Sequence, residues 1–228
     1  LQGLSQRYFV EPKAFFVRSW EDIFYDNERI ARYRFGDLGG GFEVGMNLND
    51  DAQVRAGYLY TRRDATVETG SPVLPEGNRD DAGLTLTATY DSRDTAFNPT
   101  RGIAAALEYA YMDEDLGADL DWERVEAGIA VAVPVRNDVV WMTFAGGTDL
   151  GSSLPLDRHF MLGGPGSFPG YELGELRLTD YWTASGSYLW KVKDLMTIRG
   201  QALYAGVRLE TGQAFNRLES LALPGYSD

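Results

Sequence analysis

Arg124-Val125-Glu126-Ala127-Gly128-Ile129-Ala130-Val131-Ala132-Val133 is the stretch on which the fold turns. Val125, Ala127, Ile129, Val131 and Val133 alternate with Arg124, Glu126, Gly128, Ala130 and Ala132. Strict period-2 alternation predicts a β-strand with two unlike faces. In a soluble barrel the apolar face points inward and the other is richly charged. Here the second face is mostly small, with an isolated Arg and Glu. That composition suits a crowded polar lumen behind an apolar band in contact with lipid.

The same pattern recurs in both directions along the chain. About ten strands are predicted, at residues 8–20, 29–35, 41–48, 53–66, 84–90, 103–109, 124–133, 139–146, 181–190 and 197–209. Away from the apolar face these strands carry Gly, Ala, Thr and Ser. Aromatic residues gather near strand ends (Trp20, Tyr60, Tyr90, Tyr109, Trp122, Trp141, Trp190), where a girdle at the membrane interface would lie. The predicted fold class is all-β, an antiparallel transmembrane β-barrel, with residues 1–228 forming one domain.

Composition narrows the function classes. No apolar run reaches about eighteen residues, so a membrane helix is excluded and only a closed barrel can satisfy its backbone in lipid. A formal net charge of −13 with no clustered basic stretch argues against nucleic acid as a partner. Cysteine is absent, so there is neither a disulfide nor a thiolate metal site. The 26 glycines and 13 tyrosines suit many short-turned strands closing on themselves.

Connection lengths alternate as well. Links at residues 48–53, 134–138 and 192–196 are tight, whereas 62–79, 112–121 and 147–180 are long. Tight periplasmic turns and long external loops give such a parity. A short link at residues 36–40 falls on the long side and is the one departure. The longest loop holds Phe160-Met161-Leu162-Gly163-Gly164-Pro165-Gly166-Ser167-Phe168-Pro169-Gly170-Tyr171, then Glu175-Leu176-Arg177. A second motif is Asp91-Ser92-Arg93-Asp94, followed by Phe97-Asn98-Pro99-Thr100-Arg101-Gly102. In it Asp91 and Asp94 can cap a turn whose geometry Pro99 and Gly102 fix.

With these two motifs the sequence resembles the barrel of the bacterial surface antigen and outer-membrane assembly-factor superfamily. The resemblance runs from Tyr8 onward and implies an outer-membrane location and a barrel of about sixteen strands. By that count about three strands lie beyond each end of the chain, so the domain is expected to be incomplete at both ends. In the superfamily the long loop tucks into the lumen, and a Val-Arg-Gly-Phe/Tyr tip contacts an acidic patch on the wall. Gly163, Gly164, Phe168, Pro169, Gly170 and Tyr171 are the matching loop residues, with Pro169 standing where the arginine would be. Close packing of the backbone is expected at Gly170. Asp91, Arg93, Asp94, Pro99, Arg101 and Gly102 match the periplasmic turn.

The arginine-free loop is most similar to the barrels attached to patatin-like phospholipases. That similarity implies a barrel that anchors, and helps translocate, a passenger domain outside this chain. Alternatives are a pore for outer-membrane protein assembly or two-partner secretion, and a soluble β-barrel for a small apolar ligand. Implied partners are outer-membrane lipid and lipopolysaccharide, the barrel assembly machinery, the chain's own passenger and a second copy in a homodimer. No catalytic residue, cofactor or metal site is expected: the sequence has no Gly-x-Ser-x-Gly elbow and a single histidine, His159. The acidic run Asp113, Glu114, Asp115, Asp119 and Asp121 reads as a solvated loop, and Glu172 and Glu175 as ion-pair partners of Arg177 within the loop.

Overall fold

A computed structural model describes residues 7–25, 28–70, 72, 76–96, 98–194 and 202–215. Nine strands form one antiparallel sheet: β1 (Tyr8–Tyr25), β2 (Glu28–Asn47), β3 (Ala52–Gly70), β4 (Gly77–Asp91), β5 (Gly102–Met112), β6 (Trp122–Val135), β7 (Asp138–Thr148), β10 (Asp180–Asp194) and β11 (Ala202–Phe215). They neighbour one another in chain order. A two-stranded ribbon, β8 (Phe160–Leu162) and β9 (Leu176–Leu178), lies in the connection between β7 and β10. No described residue is α-helical.

The expected alternation is present, with one strand fewer. Residues 29–35 and 41–48 are not two strands joined by a turn, for β2 runs straight through Gly36, Gly39 and Gly40. Gly36 pairs with Arg18 on one side and Asp64 on the other, and Gly40 with Ala14 and Tyr60. Ladders on both sides satisfy the glycine backbone, which removes any need to turn. The 62–79 link is also shorter than expected, because β3 continues to Gly70 and β4 begins at Gly77. Polar side chains on both faces hid this part of the strands. Of the strand expected at 197–209, residues 197–201 lie outside the described residues.

With the 36–40 link gone, one end of the sheet carries the turns at residues 48–51, 92–101 and 136–137. The other end carries the 113–121 and 149–179 connections.

Side chains divide as the alternation requires. Outward-facing Val10, Phe16, Leu38, Phe42, Val44, Ile129, Met142 and Phe144 are all exposed, with Val10 at 69% and Phe16 at 62%. Glu43, Thr61, Arg63, Asp81 and Thr183 lie on the opposite face and are buried. Apolar outside and polar inside is the arrangement of a membrane barrel. The exposed aliphatic and aromatic band leaves a soluble barrel without a reason for its surface.

Candidate functional site

The 149–179 connection folds back along the polar face of the sheet, and its docking there is the most elaborate feature of the molecule. A single 3-10 turn, Leu156–Arg158, carries the dock. The Asp157 carboxylate accepts from Arg63 Nη1 at 2.8 Å and from Arg79 Nη1 and Nη2 at 2.5 and 2.8 Å. Arg63 forks onto Asp37 at 2.8 and 3.2 Å and also reaches the Asp157 carbonyl at 3.0 Å. Arg79 bonds Asp81, which in turn accepts from Trp122 Nε1 at 3.1 Å and Arg158 Nε at 3.0 Å. Arg124 on β6 donates to the Arg158 carbonyl at 3.0 Å. Each cation therefore finds a carboxylate or carbonyl before it is taken out of water, which is the condition for burying charge.

Arg177, 2% exposed, closes the arrangement. It donates to Glu21 on β1 at 2.7 Å and to the Leu156 carbonyl at 3.3 Å. The expected pairing with Glu172 or Glu175 does not form; Glu175 instead accepts from the Glu172 backbone N–H. Strands β1 and β6 would stand about 24 Å apart in a flat sheet. Their reaching one short turn through Arg177 and Arg124 shows that the sheet curves around the loop.

Burial alone would raise the Asp157 carboxyl, but hydrogen bonds and charge from Arg79 and Arg63 outweigh it and hold the group well below the usual carboxylate range. For His159 burial lowers the pKa and the nearby Arg177 charge adds to it, against the hydrogen bond to Leu154. The imidazole is thus neutral at pH 7, and its Nε2, 3.2 Å from the Leu154 carbonyl, is the donor.

Beyond this turn, apolar packing takes over. Leu156 rests on the buried cluster of Ile23, Ala31, Tyr33 and Phe35. Ribbon residues Phe160, Leu162, Leu176 and Leu178 bury themselves with Tyr181 of β10. The Arg124 guanidinium lies 4.4 Å from the Phe160 ring centroid, and Tyr181 donates to Glu126 at 2.6 Å.

The motif residues separate into two groups. Gly163, at φ 122°, is the tightly packed glycine: a Cβ there would stand 2.0 Å from the Glu172 carbonyl oxygen. Gly164 also has positive φ, 85°, against Leu173. Gly170, where close packing was expected, has nothing within 4 Å of its Cβ position. Pro169 and Gly170 are exposed and Tyr171 is 37% exposed, and among the described residues this segment makes no acidic-wall contact. Phe168, at φ 52°, is half-buried near Gly212 of β11. The backbone at Gly166 accepts from Arg208 at 3.1 Å.

The second motif forms a connected turn. Arg93 forks onto Asp91 at 2.9 and 2.7 Å. Asp94 accepts from the backbone and hydroxyl of Thr100, and these bonds hold its carboxyl below the usual range. Gly102, at φ 108°, lies so close to the neighbouring strand that a Cβ there would stand 2.4 Å from the Ser92 carbonyl oxygen. Pro99 is buried and, with Val139, Trp141 and Leu189, lines a hollow of 340 Å³ at this end. Arg101 contributes its backbone, donating to Asp94 at 3.4 Å and accepting from the Asp94 N–H.

A sequence pattern described as the Omp85 superfamily domain matches residues 4–207. The chain belongs to the Omp85 superfamily. It is accordingly a bacterial outer-membrane β-barrel protein. No curated protein matches the chain. Among solved structures, BamA from Haemophilus ducreyi lacking POTRA domains 1–3 is similar, with a TM-score of 0.74 at 13% identity. That match covers 92% of this chain and 47% of the BamA chain, so the present sequence spans about half the length of its structural relative. As an Omp85 barrel, the chain has a lumen occupied by its own loop and fastened through charges that sequence reading missed. Arg63, Asp37, Arg79, Asp81 and Glu21 all fall on the inward parity of their strands, which is the signal that could have found them. Among the described residues no cluster could hold a metal ion.

Proposed function

We propose that this Omp85 barrel is an anchor that holds, and helps carry outward, a passenger domain lying elsewhere in the full-length protein. A patatin-like phospholipase is the passenger class that the arginine-free loop suggests. The observation that carries the reading is the Asp157 dock, in which Arg63 and Arg79 grip one buried carboxylate and each keep a second one, Asp37 and Asp81. An anchor works with its lumen shut, and a loop held at five wall positions suits a fixed plug. Pro169 at an exposed position, where the resemblance places the wall-binding arginine, supports the same reading. The tight-turn end would then face the periplasm and the 113–121 loop the exterior.

A second reading, outer-membrane protein assembly or secretion, is favoured by the structural likeness to BamA. Depleting the full-length protein from its own cells separates the two. Under the anchor reading, the passenger disappears from the cell surface while the levels of other outer-membrane proteins hold. A general fall in those proteins with no passenger domain in the full-length chain would replace the anchor with an assembly factor. For insertion the chain would use the barrel assembly machinery, and a homodimer would be its simplest oligomer.

A further inference from the structure

The outward face of the sheet carries an uneven ring of charge just beyond the apolar band. On β1 the band runs through Tyr8, Val10, Pro12, Ala14 and Phe16; the next outward residue is Arg18. On β2 it runs from Met46 through Leu38, followed outward by Gly36 and Arg34. On β3 it ends at Tyr60, and Arg62 follows. Each band is nine residues long, the length of a tilted strand crossing a bilayer core, so these arginines stand at headgroup level.

The register places them together. Arg18 lies directly opposite Gly36, Arg34 is two residues further along β2, and Arg62 pairs with Leu38. Gly36 is thus flanked by Arg18 on one side and Asp64 on the other, with Arg34 and Arg62 beyond, and the three arginines lie within about 14 Å of one another at the backbone. Arg18 and Arg34 have no carboxylate partner among the described residues, Arg18 resting 5.5 Å from the Phe16 ring centroid. Arg62 is exposed and only 3.9 Å from Asp80. Of the nearby acids, Asp22 is paired with Arg32 and Arg29; Glu68 accepts from Trp20 and Asp64, opposite Gly36, from Thr66, so these two keep their charge and the three arginines outnumber them. At the same level, the outward residues of β4 and β6 and the residue following β5 are Asp80, Glu123 and Asp113. Among the described residues compared, the excess of outward arginines is therefore on β1–β3.

We propose that Arg18, Arg34 and Arg62, around Gly36 on the outward face of β1–β3, bind the phosphate groups of a phosphorylated glycolipid headgroup in the outer leaflet. Three planar forks spaced over one headgroup, with apolar Phe16 and Leu38 below for the acyl chains, match a lipid carrying two phosphates on a sugar core. The proposal rests on the membrane orientation given above and on nothing about the passenger.

The test uses the full-length protein in mild detergent, examined by native mass spectrometry with bisphosphorylated lipid A. The dephosphorylated lipid, phosphatidylglycerol and inorganic phosphate serve as separate competitors. Retention of the bisphosphorylated lipid alone is expected. R18Q/R34Q/R62Q should weaken it by about tenfold or more, R18K/R34K/R62K by much less, and Arg136→Gln at the opposite end not at all. Heat-modified gel mobility shows that each variant is folded. Equal retention of the dephosphorylated lipid, effective competition by phosphatidylglycerol or free phosphate, or an unaffected Gln variant would overturn the site. Orientation is read separately with an impermeant maleimide on intact cells carrying Asp115→Cys or Asn49→Cys. Labelling at Asp115→Cys alone is expected; labelling at Asn49→Cys alone would overturn the orientation and the outer-leaflet assignment, whatever the binding result.

Discussion

Asp157 is gripped by two arginines that each retain another carboxylate, so removing its charge leaves Arg63 and Arg79 partly compensated. Asp157→Asn should therefore loosen the loop without unfolding the wall, at a cost of about 3 kcal/mol in docking free energy. Faster proteolysis within residues 149–179, with gel mobility of the barrel preserved, is the expected result; unchanged proteolysis would remove the dock from the account. The pH dependence follows from the sign of the shift. A carboxyl whose folded-state pKa lies below its unfolded value contributes fully above about pH 4 and is lost as pH falls through the folded-state pKa. Loop protection measured by hydrogen exchange should fall modestly below about pH 6.5, where the unfolded chain protonates His159 and the buried imidazole resists, and should lose the Asp157 contribution only below about pH 4. Glycine positions give a paired comparison. Gly163→Ala meets a carbonyl oxygen at 2.0 Å in a left-handed conformation and should destabilise the loop by about 1–3 kcal/mol. Gly170→Ala, in open space, should leave proteolysis unchanged.

At the level of the strand, β6 is where sequence and structure agree most fully. Ile129 is 42% exposed on the outward face, while Ala130 faces inward between its partners Ala104 and Thr143. Ile129→Arg should cost about 2–4 kcal/mol near the bilayer midplane. Ala130→Arg meets the polar lumen and should cost less. Folding titrations of the full-length protein into lipid vesicles compare them, and a larger penalty for Ala130→Arg would reverse the face assignment. Alternation made β6 legible because one of its faces meets lipid throughout. It failed for β2, where the glycines at 36, 39, 40 and 41 imitate a turn in any local reading and only the ladders to β1 and β3 keep the chain extended. It failed again for the outer parts of β3 and β4, whose inward face is polar because Arg63, Arg79 and Asp81 pack against the loop and not against an apolar core. The dock was illegible for a related reason. Asp157 and Arg158 look like ordinary solvated loop charges, and nothing in one sequence says that Arg63 and Arg79, on two strands, converge on them. In the long loop the close backbone approach falls at Gly163 and not at Gly170, because Gly163 faces the Glu172 carbonyl across the ribbon while Gly170 stands in open space.

For the molecule as a whole, the two outer strands decide behaviour. Among the described residues β1 pairs only with β2, and β11 only with β10. Their free edges span 18 and 14 residues. Each edge presents a row of backbone donors and acceptors that hydrocarbon cannot satisfy, at several kcal/mol per group. The loop bridges part of the gap by touching Glu21 on β1 and lying against Gly212 on β11, but side-chain contacts do not replace a ladder. Such edges persist in a membrane only if paired, and we propose that further strands cover them, in the total of about sixteen that the family resemblance implies. Residues 1–228 produced alone should not insert as a monomer, and in water the open edges should drive aggregation. Expression of this segment with refolding into vesicles, followed by gel mobility with and without heating, measures this directly. A monodisperse, heat-modifiable barrel from residues 1–228 would mean that β1 and β11 can satisfy one another, and that the loop spans a closed nine-stranded lumen.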